Sequence, residues 1–133
     1  MDFNLQLELK KQNRFIVSLP DEFDIPKWVT KSATRPSAIF DGGGITWGEM
    51  KISFWDPIGP STSKKLWDIL TSEINKKHNF KLELLDPKGE VIESWGLDDC
   101  IITSIDFGGL NFDSYESLEP IMYFKPTKAY LIK

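Results

Sequence analysis

A chain of 133 residues with 20 acidic and 16 basic side chains, formal charge -4, is too short to divide into several cores and repels a phosphate backbone as a whole. Its composition, 41% hydrophobic and 27% charged, is that of a folded domain and excludes a disordered tail. One cysteine, Cys100, excludes an internal disulfide, and with one histidine, His78, it falls short of the usual zinc ligand sets.

Residues 1–12 alternate Phe3, Leu5, Leu7 and Leu9 behind an acidic second residue. A secretory signal needs a basic start and an unbroken apolar run, so none is predicted. Eighteen apolar residues never run together, so no bilayer span and no membrane partner are predicted. The expectation is an amino-terminal arm on a protein made in the cytoplasm, soluble unless assembled into something exported whole.

The stretch NRFIVSL, residues 13–19, places Phe15, Val17 and Leu19 on one face of a strand that Pro20 ends. Residues 27–34 alternate Val29 and Ala33 against Trp28, Thr30 and Ser32, which predicts a second strand. Asp41, Gly42, Gly43 and Gly44 carry almost no steric restriction and predict an exposed, mobile or sharply turned tip. A phosphate cradle would need spaced glycines, a following lysine and a helix; here a strand follows.

Residues 46–55 read as one strand, with Met50, Ile52 and Phe54 inward and Trp47, Glu49, Lys51 and Trp55 outward. Trp47 is the candidate for a protein interface, where aromatic residues are enriched. Pro60 and Ser61 start a helix in which Leu66, Ile69, Leu70 and Ile74 recur at three-and-four spacing, with Trp67 beside them. Lys64, Lys65, Asp68, Glu73 and Lys76 fill its polar face, and Lys76 and Lys77 close it. Trp67 and Trp95 are assigned to the core.

Residues 79–85 form a strand, Asp86, Pro87, Lys88 and Gly89 a turn, and residues 90–95 the returning strand. A further strand spans residues 99–107, a long loop follows, and residues 121–124 are the last clear strand. Pro126 removes a ladder donor and leaves the pairing of the carboxy-terminal segment open. About seven strands and one helix predict a mainly β protein, an antiparallel sandwich or barrel with one flanking helix.

Chemistry finds little material. Asp98, Asp99 and Asp106 are the nearest approach to a carboxylate cluster, but Asp99 and Asp106 point to opposite faces roughly 23 Å apart along an extended strand. They cannot share a metal and read as strand-end surface charges. Cys100, Ile102 and Ser104 share a face, so Cys100 reads as a small buried hydrophobe. His78, after Lys77, reads as a solvated loop histidine. No enzyme, cofactor or metal site is predicted.

Four stretches carry a family resemblance: NRFIVSL, KSATRPS, the helix SKKLWDIL, and KLELLDPKGEVIESWGLDDCIITSIDFGGLNFDS. Their order and spacing, from residue 13 to about residue 124, resemble the tail tube proteins of contractile-tailed bacteriophages. The resemblance implies one tube-like domain over residues 1–133, a homohexameric ring, and rings stacked into a hollow virion tail tube through which DNA passes. It implies sheath protein, baseplate tube initiator and tape measure protein as partners. It also implies that the loop at residues 38–48, with Asp41, Gly42, Gly43, Gly44 and Trp47, reaches the neighbouring ring. A lumen through which DNA slides is expected to be acidic or small and polar, with Asp98, Asp99 and Asp106 as candidates. Alternatives are the tube of a type VI secretion or extracellular injection system, a baseplate or tube-end ring and, more remotely, a monomeric carbohydrate-binding sandwich.

Overall fold

The computed structural model of the chain describes residues 7–72 and 75–133. Its centre is a pair of strands whose side chains alternate: β6 (His78–Leu85) buries His78, Phe80, Leu82 and Leu84, and β7 (Val91–Asp106) lies antiparallel beside it. The remaining strands are β1 (Phe15–Ser18), β2 (Thr30–Ala33), β3 (Ala38–Phe40), β4 (Ile45–Trp47), β5 (Met50–Phe54), β8 (Ile121–Lys125) and β9 (Lys128–Leu131). A seven-stranded antiparallel sheet runs in the order β1-β6-β7-β8-β5-β2, with β9 also beside β7, while among the described residues β3 and β4 pair only with each other. The mainly β architecture with one helix is therefore the one the sequence predicts.

β7 holds the two halves of the sheet together. Its first half pairs with β6 on one edge and β9 on the other, and its second half pairs with β8. The change of direction falls at Asp99, which sits in the left-handed region at φ +50. Asn79 Oδ1 accepts the Asp99 N–H at 3.0 Å, and Thr127 donates its N–H to Asp98 O and its hydroxyl to Asp99 O. The reading of two strands, 90–95 and 99–107, is thus corrected to one bent strand, and Asp98 and Asp99 lie in its middle instead of at an end.

The same corner explains Pro126. β8 and β9 follow one edge of β7, and the register runs on across their junction, Lys125 opposite Ile101 and Lys128 opposite Asp98, with buried Pro126 and exposed Thr127 at the turn. The missing donor falls where the ladder is already broken, so pairing resumes beyond it.

Val17, Ile52, Phe54, Leu82, Leu97, Ile102 and Met122 form the core. Phe80 meets Phe124 edge to face at 4.8 Å and Phe23 at 6.0 Å. The helix α1 (Thr62–Ser72) seals the structure with Leu66 and Ile69. Ser61 Oγ accepts the Lys64 N–H, and the Asp56 carboxylate accepts the Ser63 N–H and hydroxyl, which tie its first turn to the end of β5. Glu73 and Ile74, expected in this helix, lie outside the described residues, as do Phe3 and Leu5. Among the described residues no helix is long and apolar enough to cross a membrane.

Four further expectations are corrected. Residues 27–29 form a 3-10 turn before β2, not the start of a strand; Val29 is buried and Trp28 exposed. Trp67 is 56% exposed because the buried helical face runs through Thr62, Leu66 and Ile69. His78 is buried in β6 against Phe23, with ring centroids 4.7 Å apart, and its Nδ1 is 3.8 Å from Glu22. Ser104 is exposed although it shares parity with buried Cys100 and Ile102, because a register shift between Ile102 and Ser104 turns the strand over.

Candidate assembly site

The candidate loop at residues 38–48 is a hairpin of β3 and β4, and residues 46–55 are not one strand: Gly48 and Glu49 separate β4 from β5. The Gly48 N–H donates to Ser37 O at 2.9 Å, closing the hairpin at its root, and the Asp41 N–H donates to Gly44 O at 3.2 Å across the tip. Gly42 adopts φ +58, and a side chain at Gly42, Gly43 or Gly44 would meet nothing within 4 Å. Ile39, Phe40 and Ile45 are exposed, Phe40 by 80%. Trp47 is half-buried and packs against the core at the root of the hairpin. A two-stranded ribbon has marginal stability in water, and this one leaves its apolar residues uncovered.

Sequence reasoning missed one residue, which Arg35 links to the segment before the hairpin. Glu93 on β7 is buried, and its carboxylate accepts from Lys10 Nζ at 2.6 Å, Trp95 Nε1 at 2.7 Å and Arg35 at 3.2 Å. Burial alone raises a carboxyl pKa, but the Lys10, Trp95 and Arg35 hydrogen bonds overcome it and hold Glu93 down at about 2. One carboxylate thereby ties the amino-terminal segment and the residue leading into β3 to the body of the sheet. No local pattern marks it, since its two cations lie 83 and 58 residues away.

The three candidate aspartates do not converge. Asp98 accepts from the Tyr130 hydroxyl at 3.3 Å, and its charge raises the Tyr130 pKa. Asp99 marks the bend of β7, and Asp106 accepts the Gly108 N–H at 2.9 Å, closing a local turn where β7 ends. Tyr130 lies across Gly96, where a side chain would strike its ring. Cys100 is fully buried, and burial pushes its thiol up to about 12, which leaves it protonated and inert. Among the described residues no three His, Cys, Asp or Glu side chains come together as a metal site.

No protein-family model matches the chain, and no curated protein matches it in sequence. Its structure matches solved ones almost end to end. A chain of the sheath/tube terminator of the PVC extracellular contractile injection system, in the extended state, superposes with TM-score 0.72 at 16% identity, covering 96% of this chain and 99% of that one. A chain of the anti-feeding prophage cap, which terminates that particle's tube, gives 0.70 at 17% identity, covering 94% and 91%. Hcp1 from Flavobacterium johnsoniae gives 0.61 at 8% identity, covering 90% and 94%. The chain has the tail tube fold of contractile injection systems.

Proposed function

We propose that this protein is a structural, non-catalytic subunit that assembles with its own copies into rings, six to a ring, stacked as the inner tube of a contractile particle. The observation that carries the reading is the β3–β4 hairpin: on a tail tube fold, an apolar ribbon with nothing beneath its tip is built to meet another subunit. Asp41, Gly42, Gly43 and Gly44 make the inter-ring contact, and Trp47 fixes the hairpin's root. Asp98, Asp99 and Asp106 face the lumen, where negative charge keeps passing DNA from sticking. Sheath protein, baseplate tube initiator and tape measure protein are its partners in the particle. The phage tail tube is the primary form of this reading, and the tube of a secretion or extracellular injection system is its near relative.

A tube-end ring is the second reading, favoured by TM-scores of 0.72 and 0.70 against chains of the PVC terminator and tube-terminating cap structures, above the 0.65 against a chain of the PVC sheath-tube complex. A carbohydrate-binding role draws no support from Trp55, one face of which is covered by the Lys31 ammonium at 4.7 Å. Negative-stain microscopy of the purified chain tests the proposal, with rings or hollow filaments expected and a monomer at high concentration counting against it. Deleting residues 41–44 should leave rings that fail to stack. Normal tubes from that variant would remove the hairpin from the inter-ring contact. An end ring would give closed rings that never extend, whatever the hairpin.

A further inference from the structure

Residues 107–120, joining β7 to β8, form a loop whose side chains largely face outward. Leu110, Phe112 and Tyr115 are almost completely exposed. The loop has no lysine or arginine. Glu119 pairs with Lys31 at 2.7 Å, but Asp113 and Glu116 have no ion-pair partner among the described residues. Three large apolar side chains and two unpaired carboxylates on one loop make a poor solvent-facing surface and a good plug.

The sheet also holds a matching socket. Between β1 and β2 lies a cavity of about 410 Å³ whose floor includes Phe15, Leu82 and Leu84 and whose rim carries Lys10, Lys11 and Arg35. Lys10 and Arg35 share the single carboxylate of Glu93, so three cations face one anion and two positive charges remain uncompensated. The cavity spans both halves of the sheet: Leu84 pairs with Glu93 near the start of β7, while Ser32 lies in the cross-strand row of Ser53, Ile121 and Asp106, where β7 ends and the loop begins.

We propose that the 107–120 loop of one copy docks in the β1–β2 cavity of the next, its aromatic side chains on the apolar floor and Asp113 and Glu116 against the basic rim. This rests on the self-assembly reading above and names a contact within it. Each copy carries one plug and one socket: plugs passed from copy to copy build the ring or stack of the tube reading, whereas a reciprocal exchange would close a dimer. The β3–β4 hairpin is the poorer match for this socket, since its tip carries a single carboxylate, Asp41.

The test uses two full-length variants, Gln12→Cys at the cavity wall and Tyr115→Cys on the loop, each on an exposed residue. Buried Cys100 does not compete for oxidation. Mixed under mild oxidant, they should give the cross-linked heterodimer in several-fold excess over either homodimer, and Lys11→Glu in the Gln12→Cys chain should cut that yield. Random proportions, or a dominant Tyr115→Cys homodimer in which loops pair with each other, would overturn the contact. Microscopy of the wild-type chain separates the two claims. Rings or tubes without the cross-link would refute this contact and leave the tube reading standing. The cross-link without rings or filaments would establish the contact and refute the tube.

Discussion

The molecule contains two antiparallel hairpins built by the same local rules and treated oppositely by their surroundings. In β6–β7, the Asp86 carboxylate accepts the Lys88 and Glu90 N–H groups, Gly89 takes φ +84, and the inward face of β6 is covered by core. In β3–β4, an aspartate and three glycines make the turn, but neither strand buries a residue; Trp47 alone is half-covered. Turn chemistry sets where a hairpin folds back, and burial beneath it decides whether it is stable by itself. The first hairpin is scaffold, and the second is an exposed ribbon that the described residues leave uncovered.

The sharpest way to break this contrast is a matched pair of truncations. Phe124→Ala removes a fully buried ring and is expected to cost about 3–5 kcal/mol, read as a large drop in denaturant midpoint. Phe40→Ala should stay within about 0.5 kcal/mol in the isolated chain and yet sharply reduce assembled particles. Equal losses of stability would mean that the arm has a partner within its own chain, and the contrast would collapse.

Next in size is Glu93, which joins the two regions. Its folded pKa, about 2, lies below the ordinary 4.5, so its contribution is fully present above pH 4.5 and is lost as pH falls toward 2. That difference corresponds to at most roughly 3.5 kcal/mol. Glu93→Gln should therefore destabilise the chain at neutral pH, with the gap to wild type narrowing through that acid window in pH-dependent unfolding. A gap that does not change with pH would assign the loss to packing and not to charge. The variant should also loosen the arm's root, because Arg35 loses its anchor.

How much of this was legible depends on where the cause lies. The alternation of β6, the turn at residues 86–89 and the glycine tip at residues 41–44 are local, and each stands where the sequence predicts an element. His78 and Trp67 were misplaced because their burial depends on which neighbours arrive: Phe23 covers the first, and the second lies off the buried face of α1. Glu93 reads as an ordinary strand charge until Lys10 and Arg35 are brought to it. The aspartates at 98 and 99 suggested a strand boundary, whereas they mark a corner that only the pairing of β6, β8 and β9 reveals.

That corner supplies the smallest expected effect and sharpens the contrast from the scaffold side. At φ +50 a β-branched residue is strained by about 1–2 kcal/mol, while aspartate tolerates the conformation and glycine adopts it freely. Asp99→Val should lower the unfolding midpoint, whereas Asp99→Gly should stay close to wild type, its relaxed corner offset by a more flexible unfolded chain. The side chain at 99 is exposed, so any difference between the two variants reports backbone conformation and not lost packing. Neither should alter the β3–β4 hairpin, which shares no strand pairing with β7. Equal stability for the valine and glycine variants would show that β7 turns without a left-handed residue at 99, and the corner would then be held by Thr127 and Asn79 instead.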